Sequence, residues 1–164
     1  MLQSAMKRVD WFFVLAAGLV LVADQASKFA VRAYLAPGAS IPGEGLVRLT
    51  HVMNRGASFG LFANQTIPLI ITGAIGVVAL LLYYRYLPTQ SLFLKGGLGL
   101  ELGGAAGNLI DRISLGYVTD FIDLAVWPVF NVADSAITVG VALLLYYFLF
   151  HSREKGKAPV PDKP

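Results

Sequence analysis

Apolar residues fall into four long runs, roughly residues 11–31, 67–84, 92–110 and 132–150, separated by more polar segments. A helix rising about 1.5 Å per residue needs about 20 residues to cross about 30 Å of hydrocarbon, and each run is near that length. The runs are continuous rather than alternating, which does not fit a transmembrane β-barrel. The pattern predicts an all-α membrane protein with four transmembrane helices. Lys7 and Arg8 ahead of the first run could introduce a cleaved leader, but Leu21 stands where a cleavage site needs a small residue, and apolar character resumes after Asp24. The first run is therefore read as a retained span.

Charge sets the orientation. Lys7, Arg8, Arg85, Lys95, Arg153, Lys155 and Lys157 would lie on one side, against Arg32, Arg48, Arg55 and Arg112 on the other. The positive-inside bias puts both termini in the cytoplasm. Two segments then lie outside, at about 35–66 and 114–131. In the first, Pro37-Gly38 and Pro42-Gly43 mark turns and residues 46–52 alternate as a strand does, giving a small extracytoplasmic β-containing segment. Residues 1–151 form one domain, and the Lys- and Pro-rich residues 152–164 are expected to be a disordered cytoplasmic tail.

Composition narrows the chemistry. The 164 residues are 56% hydrophobic and 14% charged, too few charges to cover a soluble domain. With no cysteine, disulfides, thiol nucleophiles and Cys-based metal sites are excluded. The net charge of +3 is spread over segment ends, which does not support nucleic-acid binding. Asn64-Gln65-Thr66 matches a glycosylation tripeptide too common to carry weight. The histidines are His51, read as an ordinary outer-loop residue, and His151 on the other side, so a Ser–His–Asp triad is not expected, and no HExxH zinc motif is present.

An ionised residue at membrane depth costs at least about 2.5 kcal/mol, so each one asks for a reason. Asp24 and Lys28 are four apart and share a helix face, where they can pair or simply snorkel to the interface. Gly99, Gly103 and Gly107, with Gly96, Gly97 and Gly104 beside them, make a flat face for close helix packing. Glu101 is expected to face the bundle interior, its role open. Asn131 suits a helix N-cap, with Asp134 in the first turn. Asp24, Lys28, Asn54, Asn108, Asp111, Arg112, Asp120, Asn131 and Asp134 all fall at the outer ends of spans or just beyond. A transporter would more often hold its ionisable groups at the midplane. What remains is a two-carboxylate site, in which an ionised Asp takes a proton from water while a protonated one donates to a carbonyl oxygen.

Five segments carry a more specific signal: Asp24-Gln25-Ala26-Ser27-Lys28, Asn54-Arg55-Gly56-Ala57-Ser58-Phe59-Gly60, Gly107-Asn108-Leu109-Ile110-Asp111-Arg112, Val118-Thr119-Asp120-Phe121 and Phe130-Asn131-Val132-Ala133-Asp134-Ser135. In this order and on this frame, they resemble the motifs of the bacterial lipoprotein signal peptidase family. The resemblance implies an aspartic endopeptidase of the bacterial inner membrane. It would act at the outer face on prolipoproteins, cutting before the diacylglyceryl-modified Cys. Asp120 and Asp134 would be the catalytic pair, with Asp123 a rival to Asp120. Asn54, Asn108, Arg112 and Asn131 would shape the site and hold substrate, with Asp24 and Lys28 in support. No metal or organic cofactor is implied, the partners are the prolipoprotein and membrane lipid, and no oligomer is indicated. Two other classes fit less well: a small ion or proton transporter, and a non-catalytic assembly factor packing through the glycine face.

Overall fold

Residues 11–56, 65–86 and 91–151 are described by a computed structural model of the chain. Lys7, Arg8, Ser58, Phe59, Gly60, Asn64 and the tail 152–164 lie outside the described residues. The elements run α1 (Trp11–Tyr34), β1 (Ser40–Ile41), β2 (Arg48–Asn54), α2 (Thr66–Tyr86), α3 (Leu92–Leu115), β3 (Val118–Asp123) and α4 (Val132–Tyr146), the last continued by a π-helical turn at Tyr147–His151. Each apolar run in the sequence is thus a helix, extended by up to five residues where polar side chains find partners in the fold. Among the described residues, three helical stretches are long and apolar enough to cross a membrane, Trp11–Tyr34, Thr66–Tyr86 and Val132–Phe150.

The remaining helix, α3, is as long as α1 but interrupted by glycines, and its surroundings explain that. It packs against α1, α2 and α4, and ten of its residues are buried, whereas none of α2 is. A helix enclosed by other helices needs small residues for contact more than it needs apolar bulk. A Cβ on Gly99 would lie 2.9 Å from Ala16 Cβ, and one on Gly103 would lie 2.5 Å from the Ala17 carbonyl of α1. On the other side, a Cβ on Gly97 would lie 3.0 Å from the Gly140 carbonyl, and one on Gly104 would lie 2.5 Å from the Ala133 carbonyl of α4. The single glycine face in the sequence is therefore two faces. One lies against α1, which runs parallel to α3, and one against α4, which runs antiparallel. Glu101 lies against Gly140 of α4.

An apolar cluster of Phe13, Leu94 and Leu98 fills the end of the bundle where α1 and α3 begin, with Phe13 stacked on Tyr84 at 3.8 Å. The polar end is closed by a three-stranded antiparallel sheet of order β1-β2-β3. Gly116, at φ +79°, ends α3 in the left-handed conformation that glycine tolerates and turns the chain into β3. There Val52 pairs with Asp120 and Asn54 with Val118, after a register shift between Leu49 and Val52.

The sequence pattern predicts a strand at 46–52; the observed β2 is two residues later. It predicts none at β3. Five of the six β3 residues are buried, so the strand lacks the alternation that marks a half-buried one. His51 is a correction as well. It is not an ordinary outer-loop residue but is buried in β2, its Nδ1 2.7 Å from the Leu35 carbonyl, joining the sheet to the end of α1.

Filling one of the glycine contacts tests this packing. Gly104→Val is expected to destabilise the protein by about 1–3 kcal/mol, as overpacking does, and to lower its melting temperature in detergent. Gly18→Ala, which meets nothing within 4 Å, is expected to leave it unchanged.

Candidate active site

Asp24 and Lys28, one turn apart on α1, form an ion pair of 2.8 Å with both side chains 0% exposed. They do not snorkel: the pair is sealed inside the bundle. A buried pair is tolerable only if its remaining donors and acceptors are matched, and these are. Asp24 Oδ1 accepts from the Ala133 backbone N–H at 2.9 Å, and Oδ2 accepts from Gln25 Nε2 at 3.2 Å as well as from Lys28. Lys28 Nζ donates to Asn108 Oδ1 at 2.8 Å and lies 3.7 Å from Asp111. Asp111 in turn accepts from the Thr119 N–H at 2.9 Å and faces Arg32 at 3.4 Å.

Beside this network stand Asp120 and Asp134, on different elements. Asp120 is held by β3. Its Oδ1 accepts from Asn131 Nδ2 at 2.7 Å and its Oδ2 from Asn54 Nδ2 at 2.8 Å. Asp134 is in the first turn of α4, and its Oδ1 accepts from Asn108 Nδ2 at 2.8 Å. Asn131 is the N-cap of α4: its Oδ1 accepts from the Asp134 N–H at 2.9 Å, and Asp134 Oδ2 accepts from the Asn131 N–H at 3.3 Å. This reciprocal capping box satisfies two helix-end donors. The same asparagine therefore caps the helix and touches both aspartates.

Electrostatics distinguish the acidic groups of β3. Burial pushes the Asp120 carboxyl up to about 7, and the negative charge of Asp134 adds to the shift, against the hydrogen bonds from Asn54 and Asn131. Asp123, three residues along the strand, points the other way. Thr50 Oγ1 donates to it at 2.7 Å, the Ala125 N–H at 2.9 Å, and Arg48 pairs with it at 2.8 Å. These partners, Thr50 first, hold it below the usual carboxylate range. It is occupied in keeping β1, β2 and β3 together.

A cavity of about 1110 Å³ opens over the two aspartates. Asn54, Asn108, Arg112, Asp120 and Asp134 form its polar wall, and Val52, Met53, Val118, Val129, Phe130 and Val139 an apolar one. Trp127, 58% exposed, stands at its rim. Such a cavity suits an extended substrate with apolar bulk and a few fixed polar points. Among the described residues, no three His, Asp or Glu side chains are grouped as metal ligands.

Eight of the nine polar residues that the sequence gathers at the outer ends of the spans, Asp24, Lys28, Asn54, Asn108, Asp111, Asp120, Asn131 and Asp134, thus join in one network of hydrogen bonds and ion pairs. Arg112 lines the same cavity and reaches the Gly56 carbonyl at 3.5 Å. Sequence reasoning missed Gln25, Thr119 and the inward role of Arg32, whose Nη1 donates to Thr119 Oγ1 at 2.9 Å. Gln25 and Arg32 lie on the same face of α1 as Lys28 or beside Asp24, a signal that helix periodicity carries. Thr119 carried none while β3 was unrecognised.

The chain is similar to known proteins in both sequence and fold. A family model described as signal peptidase (SPase) II matches residues 16–150. The lipoprotein signal peptidase of Moorella thermoacetica is 47% identical over 148 residues, covering 90% of this chain and 99% of its own. That of Dehalococcoides mccartyi strain 195 is 44% identical over 152 residues, covering 90% and 94%. A bacterial membrane enzyme solved by the in meso method at 2.3 Å superposes with a TM-score of 0.83 at 30% identity, over 93% of this chain and 96% of that one. With a family match across most of its length, relatives at 44% and 47% identity and the same fold, the chain belongs to the signal peptidase II family.

Proposed function

We propose that this membrane enzyme removes signal peptides from prolipoproteins, cutting before the diacylglyceryl-modified Cys, with Asp120 and Asp134 as its catalytic pair. The observation that carries the assignment is their arrangement. Two carboxylates from separate elements face one cavity, each held by amide N–H donors, and burial lifts one of them to about 7. The charge of Asp134 adds to the upward shift of Asp120, and in this reading the two titrate as a unit and share one proton near neutrality. The ionised member takes a proton from a water molecule as its oxygen bonds to the scissile carbonyl carbon. The protonated member donates to the carbonyl oxygen, giving a neutral tetrahedral diol. The aspartate that took the water proton then gives it to the amide nitrogen and the C–N bond breaks, while a diol hydroxyl returns its proton to the other aspartate as the carbonyl re-forms as a carboxyl group, which restores the pair.

The surrounding residues divide the remaining work. Asn54, Asn108 and Asn131 hold the pair in place. Arg112, a fixed cation on the cavity wall, orients substrate carbonyl oxygens. The apolar wall takes the substrate's lipid and flanking side chains. Helix α3 is the fourth span in this reading: its 24 residues are long enough, and it packs against α1, α2 and α4 with its glycines at 96, 97, 99, 103, 104 and 107 buried. The protein then lies in the bacterial inner membrane with both termini cytoplasmic and the aspartates at the extracytoplasmic face. Residues 1–151 act as one domain and 152–164 as a cytoplasmic tail. Membrane lipid is the medium in which enzyme and anchored substrate meet.

Cleavage of a diacylglyceryl-modified prolipoprotein by purified protein tests the assignment. Asp120→Asn and Asp134→Asn are each expected to lower the rate by at least about 10²–10⁴-fold, the usual contribution of a general acid or base. Both should melt as folded proteins. Asp123→Asn is expected to weaken the sheet while cleavage continues; an inert but folded Asp123→Asn would contradict the choice of Asp120.

A pH profile tests the electrostatics. Cleavage is expected to fall as pH rises through about 7, where Asp120 sits and the shared proton is lost. Asn54 donates to the carboxylate and so favours its ionised form. Asn54→Ala should therefore raise the Asp120 pKa and move the upper pH limit upward, whatever it does to the maximal rate. A downward shift would contradict the assignment.

A further inference from the structure

The amide of an asparagine can face either way, and a partner that can only donate decides which. All three asparagines around the aspartates have such a partner on Oδ1. For Asn54 it is the Gly56 N–H at 2.9 Å, and for Asn131 the Asp134 N–H at 2.9 Å. For Asn108 it is the Lys28 ammonium at 2.8 Å, joined by Asn131 Nδ2 at 3.2 Å. Each lock turns an NH₂ group toward a carboxylate, at 2.8 Å for Asn54 and Asn108 and 2.7 Å for Asn131. The first two locks are backbone groups within two or three residues of the asparagine they fix. The third comes from another helix, 80 residues away, and depends on a side chain. Flipping Asn108 would set its NH₂ against the ammonium and the Asn131 amide, and its carbonyl oxygen against the Asp134 carboxylate.

We propose that Lys28 is a positioning residue of the peptidase reaction, acting through Asn108 to aim an amide N–H at Asp134. The inference rests on the reading of Asp120 and Asp134 as the catalytic pair. The ion pair with Asp24 fixes the ammonium in turn. Asp24 is itself anchored to the Ala133 N–H, one residue before Asp134. Lys28 and its target are thereby referenced to the same turn of α4. Neutralising Asp24 alone would need no ammonium at this exact distance from an amide oxygen; the second contact of Lys28 is what couples the pair to the site.

A double-mutant cycle on prolipoprotein cleavage tests this, with Lys28→Met, which keeps the length and loses the donor, Asn108→Leu and the two combined. Lys28→Met is expected to lower kcat about tenfold, the effect of a coupling of about 1.4 kcal/mol, with KM changed less than about twofold. In the Asn108→Leu background it should lower kcat less than about twofold further. Two losses that multiply, or a Lys28→Met enzyme with wild-type kcat, would overturn the proposal. If Lys28→Met does not fold, Asp24→Asn with Lys28→Met carries the same cycle. That variant removes both charges of the pair and keeps an oxygen for the Ala133 N–H. Asp134→Asn measured alongside separates the two readings. If it still cleaves, the catalytic pair is misassigned; if it is inert while the losses multiply, only the role of Lys28 falls.

Discussion

The carboxylate of Asp24 is the point on which the polar end of this molecule depends. It belongs to α1, it lies where a Cβ on Gly107 of α3 would sit, and it accepts the Ala133 N–H at the start of α4. One side chain thus joins three helices at one level. A charge in that position would be prohibitive alone, and Lys28 one turn later compensates it. Compensation within one helix leaves both groups buried and rigid. The glycines at 99, 103 and 107 let α1 approach closely enough for the contact, while Gly97 and Gly104 do the same for α4. Packing and electrostatics are one design: the small residues exist at these positions so that the charged ones can meet.

From that level the site extends outward in a fixed order. The Asp24–Lys28 pair holds Asn108, and Asn108 holds Asp134. Asn131 closes the circuit by capping α4 and donating to Asp120. The sheet supplies what the helices cannot, a backbone that carries Asp120 on one side and Asp123 on the other. The Arg48 and Thr50 contacts to Asp123 set the edge of β3 against β2. Asp120 consequently sits in a pocket with little solvent, two amide donors and a second carboxylate. That combination sets the Asp120 carboxyl apart from the structural ones around it.

Much of this was legible from the chain. The helices follow from apolar runs of the right length, and the glycine spacing implied close packing. The aspartates and asparagines stood out because polar residues in apolar surroundings are costly and these gather at one end. The individual links were not legible. Whether Asp24 and Lys28 snorkel or lie buried is decided by what α3 and α4 place around them, and a helical wheel of α1 holds no such information. The strand β3 was hidden because it is covered on both faces and carries two aspartates, residues that strands disfavour. With β3 unseen, Thr119 had no place, and the bond of His51 to the Leu35 carbonyl depends on how the sheet sits on the end of α1. The cavity's apolar wall combines β2, β3 and the start of α4, a juxtaposition that only tertiary structure creates.

The central claim is that Asp120 and Asp134 act as one buried pair holding a single proton near neutral pH. Isotope-edited infrared spectroscopy of protein carrying ¹³C-labelled aspartate measures this directly, because protonated and ionised carboxyls absorb apart and Glu101 is silent. A protonated aspartate band persisting above pH 5, titrating near 7 and absent in Asp120→Asn is the expected result. An aspartate signal that is fully ionised by pH 5 in folded, active enzyme would contradict the account.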